Sequence, residues 1–318
     1  GNVVICTHMR PDGDALGSSG AVFHYLKALG VKNVTVVLPD PAAQTIAFIH
    51  DGVDSVNALE QPAEAKRLVA EADLIVCTDF NTPSRAGVLE QPIRESTAAK
   101  VLFDHHLDPE QECFDLVFST TETSSCCEVL YDLLPNPGLA ASTGLMAGMT
   151  TDTNNFANSV YPSTLRMASA LIEAGVDRDS LVQKLYFRYR PNRVQAIAWF
   201  LSNKLKLRPN GLASIIVSLK EWHDFGLEDG ELEGMVNVPL SINEVNTVIY
   251  LRQDRTEPHF HVSIRSKKGW SACRLAKGSF HGGGHENASG GRLRWPQDIA
   301  SPEQAEAFLD ALNPIESK

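Results

Sequence analysis

The first half of the chain alternates short apolar runs with helical patterns, and this alternation limits the fold more than any other feature. Runs rich in Val, Ile and Leu predict strands at Val3–Cys6, Val34–Leu38, Leu74–Cys77 and Val101–Phe103. A helical pattern follows the first run and stops at Gly30, and another covers 63–70. Strand and helix in repetition predict a parallel sheet covered by helices on both faces, the α/β class.

A change of pattern beyond the middle of the chain indicates a second domain. Helical periodicity continues through Ser125–Leu134, Ala140–Met149, Ser163–Ala174 and Asp179–Lys206, the last as one or two helices. Strand-like alternation returns at Ala213–Leu219, Thr247–Leu251 and His261–Arg265. A chain of 318 residues is also longer than most single cores. We therefore expect a larger α/β domain at 1–190, a helical linker at 191–208 and a smaller α/β domain at 209–318.

The charge of the chain is negative overall but unevenly distributed. A net charge of −11 argues against broad electrostatic binding to long nucleic acid. The segment from His259 to Arg294 is the exception, with seven Lys or Arg residues and one acid, Glu286. The tryptophans are too scattered to build an extended stacking platform for a long single strand. The composition thus indicates a localised anion-binding site on an acidic protein.

Features that report on the cellular compartment point to the cytoplasm. No run approaches the roughly 20 apolar residues that a membrane helix needs, and no secretory leader precedes the first strand. The six cysteines form neither a secreted disulfide framework nor a C-x-x-C metal motif. We expect a cytoplasmic protein without a membrane partner, with reduced and mostly buried cysteines. A homodimer is compatible with the sequence.

Four short polar segments follow apolar runs and carry most of the functional information. The first, HMRPDGD, places His8, Asp12 and Asp14 in a tight loop after the first strand, because Pro11 and Gly13 bend the chain. The others supply, in chain order, Asp79, the triad Asp104-His105-His106, and Asp152 at the end of a helical or strand-like stretch. Residues that follow parallel strands meet at the carboxyl edge of the sheet. These side chains are therefore predicted to converge.

A crevice that gathers several carboxylates requires compensating positive charge, because like charges repel. Divalent cations provide it, and Asp with neutral His suits manganese, magnesium or cobalt better than a structural zinc site. Each segment alone has a simpler explanation: Asp12 and Asp152 could cap helices, Asp79 could close a turn, and His105-His106 could be an ordinary pair at a strand end. Their recurrence favours two divalent ions, most simply Mn²⁺.

These four segments, in this order, resemble the motifs of the DHH phosphoesterase superfamily, named for the triad seen here as Asp104-His105-His106. The glycine-rich segment FHGGGH at 280–285, with ASGG at 288–291 after it, resembles the DHHA1 domain that follows the catalytic domain in one branch. The resemblance spans nearly the whole chain. It implies an N-terminal parallel-sheet DHH domain with helices on both faces and a smaller α/β C-terminal DHHA1 domain.

The resemblance also implies roles for individual residues of the DHH part. One metal ion would be held by His8, Asp12 and Asp79. A second would be held by Asp14, Asp79, His105 and Asp152, so that Asp79 bridges the two. Asp104 would support the site, and His106 would act on the substrate phosphate or orient the site.

In the DHHA1 part, the resemblance implies contacts to the distal phosphate or base of the substrate. The residues concerned are Arg265, Ser266, Gly283, Gly284 and His285. Their chemistry agrees with that role, because successive glycines let backbone N–H groups approach an anion and arginine can bind phosphate through two hydrogen bonds.

The expected function is that of a nano-RNase that trims short RNA or DNA oligonucleotides and also acts as a phosphatase on 3′-phosphoadenosine 5′-phosphate (pAp). The two expected substrate classes are therefore short oligonucleotides and small nucleotide phosphates such as pAp. Three alternatives stay open: an exopolyphosphatase or pyrophosphatase, a dinucleotide phosphodiesterase, and an inactive protein that binds nucleotide or metal. The presence of all the expected metal ligands disfavours the last.

Overall fold

A computed structural model describes residues 1–317 and divides the chain into two compact units. The first unit is Gly1–Arg188 and the second begins at Tyr189. Two six-stranded sheets form the frameworks of these units. No helix within residues 1–317 combines the length and the apolar character needed to cross a lipid bilayer.

The sheet of the first unit is parallel throughout. Its strands are β1 (Asn2–Cys6), β2 (Asn33–Leu38), β3 (Ser55–Asn57), β4 (Leu74–Thr78), β5 (Ala99–Asp104) and β6 (Leu116–Ser119). Their order across the sheet is β3-β2-β1-β4-β5-β6. Because the order changes direction between β1 and β4, the crevice outside their carboxyl ends is where an open α/β sheet binds its ligand.

Helices cover this sheet on both faces. They are α1 (Gly13–Ala28), α2 (Pro62–Ala70), α3 (Glu90–Glu95), α4 (Cys126–Leu133), α5 (Gly138–Asp152), α6 (Pro162–Glu173) and α7 (Arg178–Tyr186). Ile5 of β1 belongs to a core that includes residues of α1 and α5, whereas Val4 and Cys6 belong to a core with residues of α2 and α3. The predicted doubly covered parallel sheet is confirmed.

Helices α1 and α5 cross at close range because small residues face each other. A Cβ atom on Gly17 would lie 2.4 Å from the carbonyl oxygen of Gly144 and 2.9 Å from the backbone nitrogen of Gly148. A Cβ atom on Gly148 would lie 2.7 Å from Oδ1 of Asp14. The close crossing therefore brings the start of α1, with Asp14, against α5, whose last residue is Asp152.

Replacing Gly17 with alanine should destabilise the first unit by about 1–3 kcal/mol, the usual cost of overpacking a core. The new methyl group would meet backbone atoms of α5, which cannot rotate away. Gly20→Ala in the same helix is the matched control, because a Cβ atom there would lie an ordinary 3.5 Å from its nearest neighbour, Cδ2 of His50. Urea unfolding measures the difference. Equal stabilities of the two variants would show that α1 and α5 separate without cost.

The sheet of the second unit is mixed. Its strands are β7 (Lys206–Leu207), β8 (Leu212–Val217), β9 (Thr247–Gln253), β10 (His259–Ser266), β11 (Gly283–Gly284) and β12 (Ala288–Arg294), in the order β11-β12-β10-β9-β8-β7. Strands β8 and β9 are parallel, and the other neighbouring pairs are antiparallel. The helices are α8 (Pro191–Asn203), α9 (Leu219–Asp224), α10 (Ala272–Ser279) and α11 (Ala305–Asp310).

The helical stretch expected at 179–206 is two helices, α7 and α8. Helix α8 covers most of the segment expected as a linker, and its Ala196 and Phe200 are buried in a core with Ile215 of β8 and Val248 of β9. The opposite face of the sheet packs against α10 and α11, for example through Leu275. Residues 191–203 thus contribute directly to the packing of the second unit.

Candidate metal centre

The polar segments of the first unit converge at the switch point between β1 and β4. His8 lies two residues beyond the end of β1, and Asp79 directly follows β4. Asp104 is the last residue of β5, and His105 and His106 come next. All five side chains are buried, although they are polar or charged. Buried polar and charged groups are costly unless hydrogen bonds, opposite charges or a bound metal ion compensate them. Their clustering therefore indicates a functional site.

Two helix ends complete the group. Asp12 is the N-cap of α1, and its carboxylate accepts hydrogen bonds from the N–H groups of Asp14 and Ala15, each at 3.0 Å. Asp12 therefore caps the helix, as the simpler explanation of this residue requires. The same carboxylate also faces His8, so capping does not exclude a role as a metal ligand. Asp152 is the last residue of α5, so a helix and not a strand delivers it to the site.

His8 faces two carboxylates through one ring nitrogen. Its Nδ1 lies 2.8 Å from the carbonyl oxygen of Met9, so an Nδ1–H group donates there and Nε2 faces the carboxylates. Nε2 lies 3.4 Å from Oδ2 of Asp79 and 3.7 Å from Oδ1 of Asp12. These three side chains form the first ligand cluster.

His105 is the centre of the second cluster. Its Nε2 lies 3.6 Å from Oδ2 of Asp14, 3.5 Å from Oδ1 of Asp79 and 3.4 Å from Oδ2 of Asp152. Asp79 therefore contacts both clusters, with Oδ2 towards His8 and Oδ1 towards His105. Asp79 is thus the carboxylate that the two clusters share.

The separations within both clusters are close to those of ligands around a shared cation. Hydrogen bonds between N and O atoms measure about 2.7–3.2 Å, whereas two ligands about 2.1 Å from one ion lie roughly 3.0–3.4 Å apart at angles of about 90–109°. Among residues 1–317, Nε2 of His8 and Oδ1 of Asp79 are buried and make no hydrogen bond. The residues present therefore fit divalent ions.

The ionisation of the site shows how much charge must be balanced. Burial lowers the pKa values of His8 and His105, but the nearby carboxylates outweigh it and raise both to about 10. Burial raises the pKa of Asp79, but the histidines hold it well below its usual range. Burial, together with Asp79 and Asp152, raises the pKa of Asp14 well above its usual value. Without a cation, protons on the histidines compensate the carboxylates.

Backbone N–H groups in the first turn of α4 hold the Asp14 carboxylate, an interaction that the sequence analysis did not identify. Its Oδ2 accepts a hydrogen bond from the N–H of Cys126 at 2.7 Å, and its Oδ1 accepts one from the N–H of Cys127 at 3.0 Å. The N-terminus of a helix also carries partial positive charge, which favours a carboxylate. The N-cap Ser125 is the sequence signal that could have pointed to this helix end.

Asp104 orients His106 through both of its oxygens. Oδ1 lies 2.7 Å from Nδ1 of His106, and Oδ2 accepts the backbone N–H of His106 at 3.1 Å. Burial lowers the pKa of His106, and Asp104 opposes this only in part, which favours the neutral imidazole. The positive charge of Arg85, which the sequence analysis did not single out, also disfavours protonation of His8 and His106.

The predicted substrate-binding residues lie in the second unit. Arg265 and Ser266 end β10, where the arginine is half-buried and the serine is buried. The hydroxyl of Ser266 donates to the carbonyl of Trp270 at 2.7 Å and accepts from the side-chain amide of Asn287 at 3.0 Å. Ser266 therefore supports the adjoining loop, and Arg265 is the residue of this pair with a cationic group.

The glycine-rich segment is ordered by pairing with β12. Gly283 and Gly284 form β11, and a Cβ atom on Gly282 would lie 1.9 Å from the carbonyl oxygen of Gly290. The N–H of His285 already donates to the carbonyl of Ala288 at 2.8 Å. Part of the glycine run is therefore required for close strand packing, and both β11 residues and His285 are half-buried.

Two family models together match most of the chain. The model of the DHH family N-terminal domain matches residues 2–177. The chain belongs to the DHH family. The model of the DHHA1 domain matches residues 210–317, so the predicted DHH and DHHA1 resemblance is confirmed for both parts.

Three proteins similar to this DHH-family chain match it over most of their length. A protein of Streptococcus mutans named probable bifunctional oligoribonuclease and PAP phosphatase NrnA is 28% identical, covering 91% of this chain and 88% of that protein. A Thermus thermophilus protein with the same bifunctional name is 30% identical, covering 92% and 85%. The crystal structure of an exopolyphosphatase-related protein from Bacteroides fragilis has a TM-score of 0.88 and 31% identity, covering 97% and 90%.

Proposed function

We propose that this DHH-family protein is a phosphoesterase that hydrolyses short oligonucleotides and pAp with two divalent ions, manganese being the best fit. The observation that carries the proposal is the position of Asp79, whose two oxygens face His8 and His105 separately. The names of the relatives from S. mutans and T. thermophilus, both oligoribonuclease and PAP phosphatase, support the substrate class.

The ligand sets follow from the two clusters. His8, Asp12 and Asp79 would hold one ion, and Asp14, Asp79, His105 and Asp152 would hold the other. Oxygen and imidazole ligands without thiolate suit manganese. When bound, such ions supply positive charge to the phosphoryl oxygens and lower the pKa of an attacking water.

The remaining residues of the proposed site position the substrate and move a proton. Nδ1 of His106 is engaged with Asp104, so Nε2 is the nitrogen that would exchange a proton with the substrate. The charge of Asp104 would stabilise the imidazolium that forms. Arg265 would bind a phosphate away from the bond that is cleaved.

A turnover panel with manganese tests the proposal and separates it from its alternatives. The substrates are a dinucleotide, a five-residue RNA, pAp, pyrophosphate and polyphosphate. Turnover of the five-residue RNA and pAp above the inorganic substrates is the expected result. Preference for polyphosphate or pyrophosphate would favour the inorganic alternative, and turnover of none of the five would favour an inactive binding protein.

Arg265→Ala should raise KM for pAp and for the five-residue RNA by about tenfold, because a charged hydrogen-bond donor to phosphate is lost. The value of kcat should change little, since Arg265 lies outside both metal clusters. Arg274→Ala is the matched control, because Arg274 is exposed on α10. Steady-state kinetics give both constants. An unchanged KM would remove Arg265 from the proposed site.

A further inference from the structure

A second group of histidine and aspartate side chains lies in the second unit, at the hairpin between β9 and β10. Asp254 directly follows β9, and His259 and His261 are the first and third residues of β10. One nitrogen of each histidine and one oxygen of the aspartate lie within 4.8 Å of one another. The proposed function uses none of these three residues, which are called the hairpin triad.

The two histidines of the hairpin triad lie side by side. They point to the same side of the sheet, because alternate residues of a strand share a face. Their ring centroids are 4.7 Å apart, with an angle of 83° between the ring planes. His259 is buried and His261 is half-buried. The strand therefore presents two imidazoles as a pair that is largely shielded from solvent.

Asp254 faces both histidines with a single oxygen. Its Oδ2 lies 2.5 Å from Nε2 of His261 and 3.9 Å from Nε2 of His259. Its Oδ1 accepts the backbone N–H groups of Thr256 and Glu257, each at 2.8 Å. The turn therefore fixes Asp254 through Oδ1 and directs Oδ2 towards the histidines.

The three ligand atoms need only a small adjustment to hold one ion. Ligands about 2.0–2.1 Å from a tetrahedral ion are roughly 3.3 Å apart. The contact of Oδ2 with His261 is shorter than this, and its distance to His259 is longer. Moving Oδ2 by about 1 Å, away from His261 and towards His259, brings both separations to the value for a shared ion.

Glu257 supports one of the imidazoles from behind. Its Oε2 lies 3.4 Å from Nδ1 of His259, whereas Nε2 is the nitrogen that faces Asp254. A histidine that binds a metal ion usually donates its other N–H group to a carboxylate, a carbonyl or water. Glu257 thus favours the tautomer in which Nε2 of His259 carries the lone pair that a metal ion requires.

The neighbouring arginines do not neutralise Asp254. Arg252 and Arg255 pair instead with Asp229, at 3.7 and 3.0 Å. Both guanidinium groups also lie over the ring of Trp222, at 5.0 and 5.4 Å from its centroid. Within residues 1–317, no arginine or lysine lies at ion-pair distance from Asp254, whose ion-pair contacts are to the histidines.

The ligand chemistry of the hairpin triad differs from that of the candidate metal centre. Each ligand cluster of that centre has one imidazole with two or three carboxylates, whereas the hairpin triad has two imidazoles with one carboxylate. Imidazole suits zinc, and zinc binds nitrogen and oxygen ligands more tightly than manganese does. Three protein ligands on a tetrahedral ion leave one position for water.

We infer that the hairpin triad binds one Zn²⁺ ion through Nε2 of His259, Nε2 of His261 and Oδ2 of Asp254, with water as the fourth ligand. The ion joins the end of β9 to the start of β10 and holds the turn at 254–258 in place. The site is independent of the proposed function, because none of its residues belongs to the candidate metal centre.

The zinc content of the full chain tests the inference. Chelator-treated wild type and variants are dialysed against buffered zinc, and bound zinc is measured by mass spectrometry. Asp254→Asn and His259→Gln should each bind one zinc ion fewer than the wild type. Asparagine keeps a side-chain oxygen for the N–H groups of Thr256 and Glu257, so the turn is preserved. His223→Gln, which alters an exposed histidine of α9, is the matched control and should bind as much zinc as the wild type.

Glu257→Gln should keep the site but weaken zinc affinity about tenfold, the lower end of the usual effect of a group behind a ligand, because Glu257 is 64% exposed. Equal zinc content in the wild type, Asp254→Asn and His259→Gln would overturn the inference. Circular dichroism of the metal-free chains shows whether those two variants fold. If they do not fold, an unchanged zinc affinity in Glu257→Gln would overturn the inference instead.

Discussion

Asp79→Asn should reduce turnover by about a thousandfold or more, because one carboxylate faces both ligand clusters and its charge would be shared by two ions. Asparagine is the appropriate replacement. Asp79 has a φ of 65°, in the left-handed region that Asn and Asp tolerate better than other residues apart from glycine. The substitution therefore removes charge without adding backbone strain.

Metal content and stability distinguish this loss from unfolding. Metal-free Asp79→Asn should be less stable than the wild type but still folded, because the ionised carboxylate compensates the protonated His8 and His105. Manganese should raise the melting temperature of the wild type, since a ligand at a hundred times its Kd contributes about 2.7 kcal/mol. The variant should lose most of this gain.

Asp54→Asn is the control for a general effect of charge, because the Asp54 side chain is 73% exposed and lies 3.9 Å from Nζ of Lys27. It should leave turnover and manganese stabilisation unchanged. Turnover by Asp79→Asn within tenfold of the wild type would contradict a bridging role for Asp79.

His106→Asn should lower kcat by about a hundredfold to a thousandfold, the usual contribution of a proton-transferring side chain. The amide nitrogen of asparagine can replace Nδ1 as the donor to Asp104, a contact of 2.7 Å in the native protein. No atom of asparagine replaces Nε2. The variant therefore separates proton transfer from the support of Asp104.

Two measurements make this result specific. Manganese stoichiometry should stay at the wild-type value, because His106 lies outside the proposed ligand sets. Asp104→Asn, which removes the charge behind the imidazole, should lower kcat by about ten- to a hundredfold. Loss of bound metal in His106→Asn would place the residue among the ligands, and an unchanged kcat would exclude it from catalysis.

The strands at the centre of the first sheet could be predicted because a parallel strand buried on both faces is an uninterrupted apolar run. The runs at 34–38 and 74–77 correspond to β2 and β4 within one residue. The edge strands β3 and β6 were missed. They are three and four residues long and contain no fully buried residue, so burial leaves little pattern in their sequence.

The side chains of the candidate centre could be located from the sequence because strand ends deliver them. Asp152 shows the limit of that reasoning, since it arrives on α5 through a helix crossing that depends on Gly17, Gly144 and Gly148. The sequence shows that these residues are glycines, but it does not show that two helices pack against each other there. The assignment of individual ligands and of Arg265, Ser266 and His285 to substrate contacts stays a prediction.

The sequence alone determined the central strands of the first sheet, the chemistry at their ends and the basic character of the C-terminal segment, because these depend on residue type and short spacing. The tertiary structure decided that Asp79 faces two histidines with different oxygens, and that backbone N–H groups at Cys126 and Cys127 hold Asp14 from more than a hundred residues away. Backbone donors are the same in every residue type except proline, so only folding shows which of them meet a carboxylate.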